Sequence, residues 1–158
     1  MNLVHLLLRH ARLTPHRPAL FHGTAPFATY GQWAARSAAL ARHLRAAGLQ
    51  PGDRVLLFMR NHPRYLEVLC AAWWAGLVVV PVNAKLHPRE VEWIVEDAQA
   101  RWGFTTSDVA PDLLAGLGKN RKRGQVIVGF ALEPRDRLLE SARQKLERKS
   151  IDLIVANP

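Results

Sequence analysis

Five short apolar runs, DRVLLFM, LVVVPV, RWGFTT, QVIVGFA and IDLIVANP, recur along the chain with helix-patterned stretches between them. A run such as VLLF or LVVV, apolar at consecutive positions, suits a strand covered on both faces. The stretches between repeat their apolar residues at three- and four-residue spacing, the period of a helix with one inward face. Strands alternating with helices predict an α/β fold: a parallel-rich open sheet with helices on both faces and right-handed crossovers.

Punctuation supports this order. NLVHLLLRHARLTPHRPAL carries apolar residues at positions 3, 4, 7, 8 and 11, a helical stripe that Pro15 and Pro18 end. ALFHG and PFATY read as a short extended pair around Gly23, and GQWAARSAALARHLRAAGL as a helix stopped by Gly48. Gly52 and Asp53 turn the chain into the first long strand. Asn61 is placed to cap the next helix, with Pro63 in its first turn and Gly76 at its end. Pro81 falls at a strand end, where a missing N–H is tolerated. Pro88 opens PREVEWIVEDAQ; further on, APDLLAGLG and PRDRLLESARQKLERK read as helices either side of QVIVGFA.

An apolar fraction of 49% over 158 residues is enough for a true core. The single cysteine, Cys70, excludes an internal disulfide, suits a reducing, cytoplasmic location, and stands beside Trp73 and Trp74 as a buried, inert thiol. CAAWWAGLVVVPV is the longest apolar run and falls short of the ~20 residues a membrane span needs. Leu3 to Leu8 is interrupted by His5 and makes no secretory signal. The first acidic residue is Asp53, behind six arginines; such a start can be an organelle presequence, but an ordinary first helix is the reading adopted.

The net charge of +9 raises a nucleic-acid partner. Its one dense run, KNRKR at Lys119 to Arg123, has no interleaved aromatics for stacking bases, so no specific nucleic-acid partner is expected. Histidines at 5, 10, 16, 22, 43, 62 and 87 show no paired ligand spacing, so no metal site is expected, and His87 with Glu90 reads as solvation of a helix start.

TYGQWAARSAALARHLRAAGLQPGDRVLLFMRNHPRYLEVLCAAWWAGLVVVPVNAKLHPREVEWIVEDAQARWGF, preceded by a helix and TPHRPAL, resembles the amino-terminal portion of the AMP-binding, adenylate-forming acyl-CoA synthetases. The resemblance covers residues 1 to about 105. It implies a parent chemistry in which ATP with Mg converts a carboxylate to an acyl-adenylate that is passed to a thiol, usually that of coenzyme A. The Ser/Thr/Gly-rich phosphate loop, the acidic nucleotide ligand and the lysine that the family uses find no match in this sequence. AGLGKN is a decoy, because a Walker loop needs Gly where Leu113 stands and Ser/Thr where Asn120 stands. No catalytic residue is therefore expected, and the chain reads as a catalytically incomplete relative of these enzymes.

APDLLAGLGKNRKRGQVIVGFALEPRDRLLESARQKLERKSIDLIVANP resembles a second family, the phosphopantothenoylcysteine synthetases. Pro111-Asp112, VGFA at Val128 to Ala131, ARQKL at Ala142 to Leu146 and IVAN at Ile154 to Asn157 carry it; Pro158 stands where an acidic residue commonly follows. This resemblance implies a CTP-using parent and makes Gly129, Phe130 and Asn157 nucleotide-binding candidates at the strand carboxyl ends, where open parallel sheets take ligands. Lys145 and Lys149 read as a solvated helix face. The two resemblances together imply a chimera: residues 1–107 a truncated ligase segment, residues 108–158 a βα fragment able to join the same sheet. Two other functions remain open at this point. One is a weak nucleotide-binding module; the other is a structural or engineered non-enzymatic scaffold that forms homo-oligomers through an exposed sheet edge.

Overall fold

The computed structural model describes residues 2–100, 102–106 and 109, and the backbone alone of 126–132 and 153–157. Its centre is set by the residues apolar at consecutive positions. In β3 (Arg54–Phe58), Val55, Leu56, Leu57 and Phe58 are all buried, as a strand covered on both faces requires. β5 (Trp102–Thr106) pairs with it in parallel, Val55 opposite Trp102 and Phe58 opposite Thr105. β6 (Val126–Leu132) and β7 (Leu153–Asn157) extend the sheet in the same direction. With β4 (Val78–Pro81), the order is β4-β3-β5-β6-β7. β4 is an edge strand with Val78 and Pro81 exposed and Val79 and Val80 partly buried, so LVVV is not the strand covered on both faces that its pattern predicts. The expected α/β architecture is thus present, and the strands in QVIVGFA and IDLIVANP join the sheet begun by DRVLLFM. The helices read in APDLLAGLG and PRDRLLESARQKLERK, and the KNRKR loop, lie outside the described residues.

By their contacts the residues fall into two compact units, 1–53 with 61–79, and 54–60 with the residues from 80 onward. In the first unit, α1 (Val4–Leu13) buries Val4 and Leu7, and Leu7 meets Ala34 and Cys70 within a rim of Ala11, Tyr30, Trp33 and Trp73. β1 (Pro18–His22) and β2 (Ala25–Thr29) form the antiparallel pair that ALFHG and PFATY predict. α2 (Tyr30–Ala46) starts at a reciprocal cap: Thr29 Oγ1 accepts from the Gln32 N–H at 3.3 Å, and Gln32 Oε1 accepts from the Thr29 N–H at 3.0 Å.

The next helix, α3 (Pro63–Trp74), corrects one expectation. Its cap is His62, not Asn61: His62 Nδ1 accepts from the Arg64 N–H at 3.1 Å. Imidazole can serve because a neutral ring carries one unprotonated nitrogen. The helix ends before Gly76, as its sequence suggests. Gly76 has φ +79°, and a Cβ there would stand 3.2 Å from Pro51 Cβ, so both backbone conformation and space call for glycine.

The second unit packs α4 (Pro88–Asp97) on the sheet. Leu56 and Phe58, two apart in β3, share a face with Val82 and Ala100, and Val91 and Val95 of α4, one helical turn apart, close over them. His87 and Glu90 are more than solvated helix-start residues. His87 Nδ1 accepts from the Arg89 N–H at 3.3 Å while Glu90 Oε2 accepts from the His87 N–H at 2.8 Å, which makes them the cap of α4. Arg54 ties the opening of β3 to the far end of the same helix, its Nε donating to the Ala98 carbonyl at 2.7 Å.

Candidate functional site

The sheet's register decides where the sequence-derived nucleotide candidates sit. Phe58, Thr105, Gly129 and Ile154 lie in one row across β3, β5, β6 and β7, and Thr106, Phe130 and Val155 in the next. Gly129 is therefore one row inside the carboxyl end of β5, and Phe130 is level with that end. Asn157 stands opposite Leu132, two rows further on, at the carboxyl end of β7. The three candidates are brought to the same end of adjacent parallel strands but span three rows' depth. A neighbouring polar feature is at hand: Thr106 Oγ1 accepts from the Arg60 N–H at 3.2 Å, joining the turn after β3 to the end of β5. Thr105, buried beside it, donates its hydroxyl to the Thr106 carbonyl at 3.3 Å.

A different polar cluster, in the first unit, escaped the sequence reading. Glu67 of α3 is buried, and both its carboxylate oxygens are held: Arg64 Nη1 approaches Oε2 at 2.6 Å and Arg36 Nη1 of α2 approaches Oε1 at 3.0 Å. The Glu67 carbonyl accepts from the buried Ser37 hydroxyl at 3.1 Å, and the Leu66 carbonyl from Trp33 Nε1 at 3.2 Å. The two guanidiniums lie over the Phe27 ring, at 5.5 Å for Arg36 and 5.2 Å for Arg64. His62 meets the edge of the same ring at 5.6 Å and the His22 ring at 5.1 Å. A signal existed in the sequence: Glu67 stands three and four residues before Cys70 and Ala71, on the buried face of α3.

The chemistry of this cluster is that of a clamp. Both carboxylate oxygens of Glu67 are taken up by guanidiniums, and the His62 Nδ1 lone pair is committed to a helix cap. Burial, then the nearby His22 and Arg64, lower the His62 pKa from 6.5, with Glu67 opposing them. Burial pushes the Cys70 thiol up to about 11, which leaves it protonated and unreactive near neutrality, as its apolar surroundings imply. Burial likewise raises Tyr65. Among the described residues no group of three His, Cys, Asp or Glu side chains could hold a metal ion. None of the described helices is long and apolar enough to cross a membrane.

The AMP-binding enzyme family matches residues 7–155. The chain belongs to this family. Its match runs beyond the limit of about residue 105 expected for the first resemblance and draws no boundary at Ser107–Asp108, where a seam was expected. Feruloyl-CoA synthase of Amycolatopsis is 45% identical over 114 residues, 72% of this chain and 23% of that protein. The crystal structure of a protein assigned as a long-chain-fatty-acid CoA ligase of Rhodopseudomonas palustris is 25% identical, with a TM-score of 0.73 over 82% of this chain and 32% of that one. O-succinylbenzoate coenzyme A synthetase of Bacillus subtilis, solved with AMP, is 27% identical with a TM-score of 0.59, covering 65% of this chain and 26% of the other. The chain thus spans about a quarter of the length of the feruloyl-CoA synthase it resembles.

Proposed function

We propose that this chain is the scaffold segment of a carboxylate-activating acid–thiol ligase, and that it does not carry out adenylation by itself. The parent reaction joins a carboxylate to ATP, with Mg, to give an acyl-adenylate and pyrophosphate; a thiol such as that of coenzyme A then displaces AMP. The observation that carries this reading is the family match over residues 7–155, together with the identity to feruloyl-CoA synthase. The chemistry of the described side chains agrees with it. The buried carboxylate is paired with two guanidiniums, the thiol is protonated, and the histidine at the clamp is used as a cap. Ferulate, an aryl-substituted unsaturated acid, is the substrate to try first.

Two measurements test this. The chain alone, given ATP, Mg and ferulate, is expected to release no pyrophosphate, and sustained turnover would overturn the claim of incompleteness. Grafted in place of the matching segment of the Amycolatopsis enzyme, it is expected to keep feruloyl-CoA formation; an inactive but folded graft would overturn the scaffold reading.

A second reading rests on the VGFA, ARQKL and IVAN segments and on the parallel pairing of β6 with β7. In it, residues 108–158 form a phosphopantothenoylcysteine-synthetase-like part of a chimera, and Gly129, Phe130 and Asn157 edge a weak nucleotide site. Glycine at 129 would let a ligand approach the backbone closely. Calorimetric titration separates the cases: heat with CTP in preference to ATP supports this reading, and silence with both removes it. Homo-oligomer formation through a sheet edge is the remaining proposal, and a monomer by light scattering at high concentration would end it.

A further inference from the structure

Beside the stripe that the fold buries, α1 and its cap carry a second one, Leu3, Leu6 and Leu13, broken by His10, whose ring stacks on Tyr30 at 5.0 Å. Val4, Leu7 and Ala11 face the core cluster of the first unit. Leu3, Leu6 and Leu13, about a third of a turn away round the helix, are 49%, 56% and 67% exposed. These are three of the seven large apolar side chains most exposed among the described residues, gathered on one short helix and its N-cap. Exposed leucines scattered singly need no explanation; leucines in register on one face do.

The charges around this stripe are of one sign. Arg9 borders it, His5 and Arg12 follow round the helix, and His16 and Arg17 come directly after it, all exposed. From residue 1 to Gly52 the sequence has six arginines and no acidic residue. A helix with exposed leucines flanked by arginine, and too short to span a bilayer, has the chemistry of a segment that lies in the plane of an anionic lipid surface. The leucines would enter the acyl boundary while the arginine stems reach back to lipid phosphates. A nucleic-acid partner would use the arginines but leave the leucines without a role. An acidic protein partner would have to supply a matching apolar groove.

We propose that the outer face of α1, Leu3, Leu6 and Leu13 with Arg9 and Arg12, docks the protein on an anionic membrane surface. The docking is peripheral and reversible, and it is independent of the ligase reading above.

The test is flotation of the full chain with vesicles of phosphatidylcholine alone and of an equal mixture with phosphatidylglycerol. Binding to the mixed vesicles is expected to be about tenfold stronger than to the neutral ones and to fall as salt is raised. Leu6→Gln with Leu13→Gln, both at exposed positions, is expected to weaken it about tenfold, and Arg9→Gln with Arg12→Gln by a similar factor. Unchanged circular dichroism of both variants keeps these losses attributable to the surface. Equal binding to neutral vesicles overturns the proposal, as does binding indifferent to the leucine substitutions. It is also overturned if no vesicle binds and the chain sediments as a dimer that Leu6→Gln dissociates, for then the stripe covers a second copy.

Discussion

In the first unit, α2 and α3 meet across a buried carboxylate with two guanidiniums, a hydroxyl-to-carbonyl bond and an indole-to-carbonyl bond. In the second, α4 lies on β3 through Leu56, Phe58, Val91 and Val95. The difference concerns direction. Aliphatic contact depends on area and tolerates small displacements, whereas a carboxylate shared between Arg36 and Arg64 is satisfied over a narrow range of helix positions. One unit therefore specifies a helix pair by polar geometry, and the other specifies a helix on a sheet by volume.

Each side of this contrast can be broken separately. The largest effect is expected at Phe58, 3% exposed in β3, where Phe58→Ala removes the largest buried side chain of the cluster under α4 and leaves a cavity. Urea unfolding followed by circular dichroism should register a loss of about 3–5 kcal/mol. Next comes Glu67→Ala, which leaves Arg64 partly buried with no carboxylate. A loss near about 3 kcal/mol is expected, at the low end for broken buried pairs because the Arg36 side chain, 40% exposed, can turn to water. Arg36→Ala should then cost under about 1 kcal/mol, and equal losses at Glu67 and Arg36 would mean that the clamp is not centred on the carboxylate. Thr29→Ala removes one half of the α2 cap and should lower stability by about 1 kcal/mol in the same assay.

The smallest effect depends on pH. The His62 pKa is lowered from 6.5 in the folded protein, so the unfolded chain takes up the proton first as pH falls. The contribution of its neutral cap is complete above about pH 6.5, declines as pH drops below that value, and levels off once the folded pKa is passed too. Asparagine also accepts at a helix start without titrating. His62→Asn should therefore remove part of the slope of stability against pH below 6.5, and an unchanged slope would exclude His62 as its source.

What could be read from the residues follows from the same contrast. VLLF and the alternation of strands with helices are apolar signals, and they point to the sheet, its parallel sense and the inclusion of the last two strands. LVVV marks a strand too, but an edge strand whose Val78 is exposed, because consecutive apolar residues do not tell an edge from a centre. The reading of Cys70 as buried and inert came from its apolar neighbours and agrees with the structure. Glu67 was missed because a carboxylate in a helix is ordinarily solvated; its partner Arg36 lies 31 residues away, and pairing at that separation exists only after folding. Asparagine leads in cap statistics, which points to Asn61, yet the backbone places the imidazole nitrogen of His62, and not the amide, at the Arg64 N–H. The candidates Gly129, Phe130 and Asn157 were read as one edge, and the register sets them at different depths along β6 and β7.

The paired His-Pro-Arg starts of α3 and α4 have a consequence for the rings themselves. In each, Nδ1 is the acceptor, so in the neutral ring the hydrogen must reside on Nε2. Tautomeric choice, usually mixed for a surface imidazole, is fixed at these two positions by the backbone of the following turn. Nitrogen chemical shifts of His62 and His87 should accordingly report a single Nε2–H form, and melting either helix start would let both forms return.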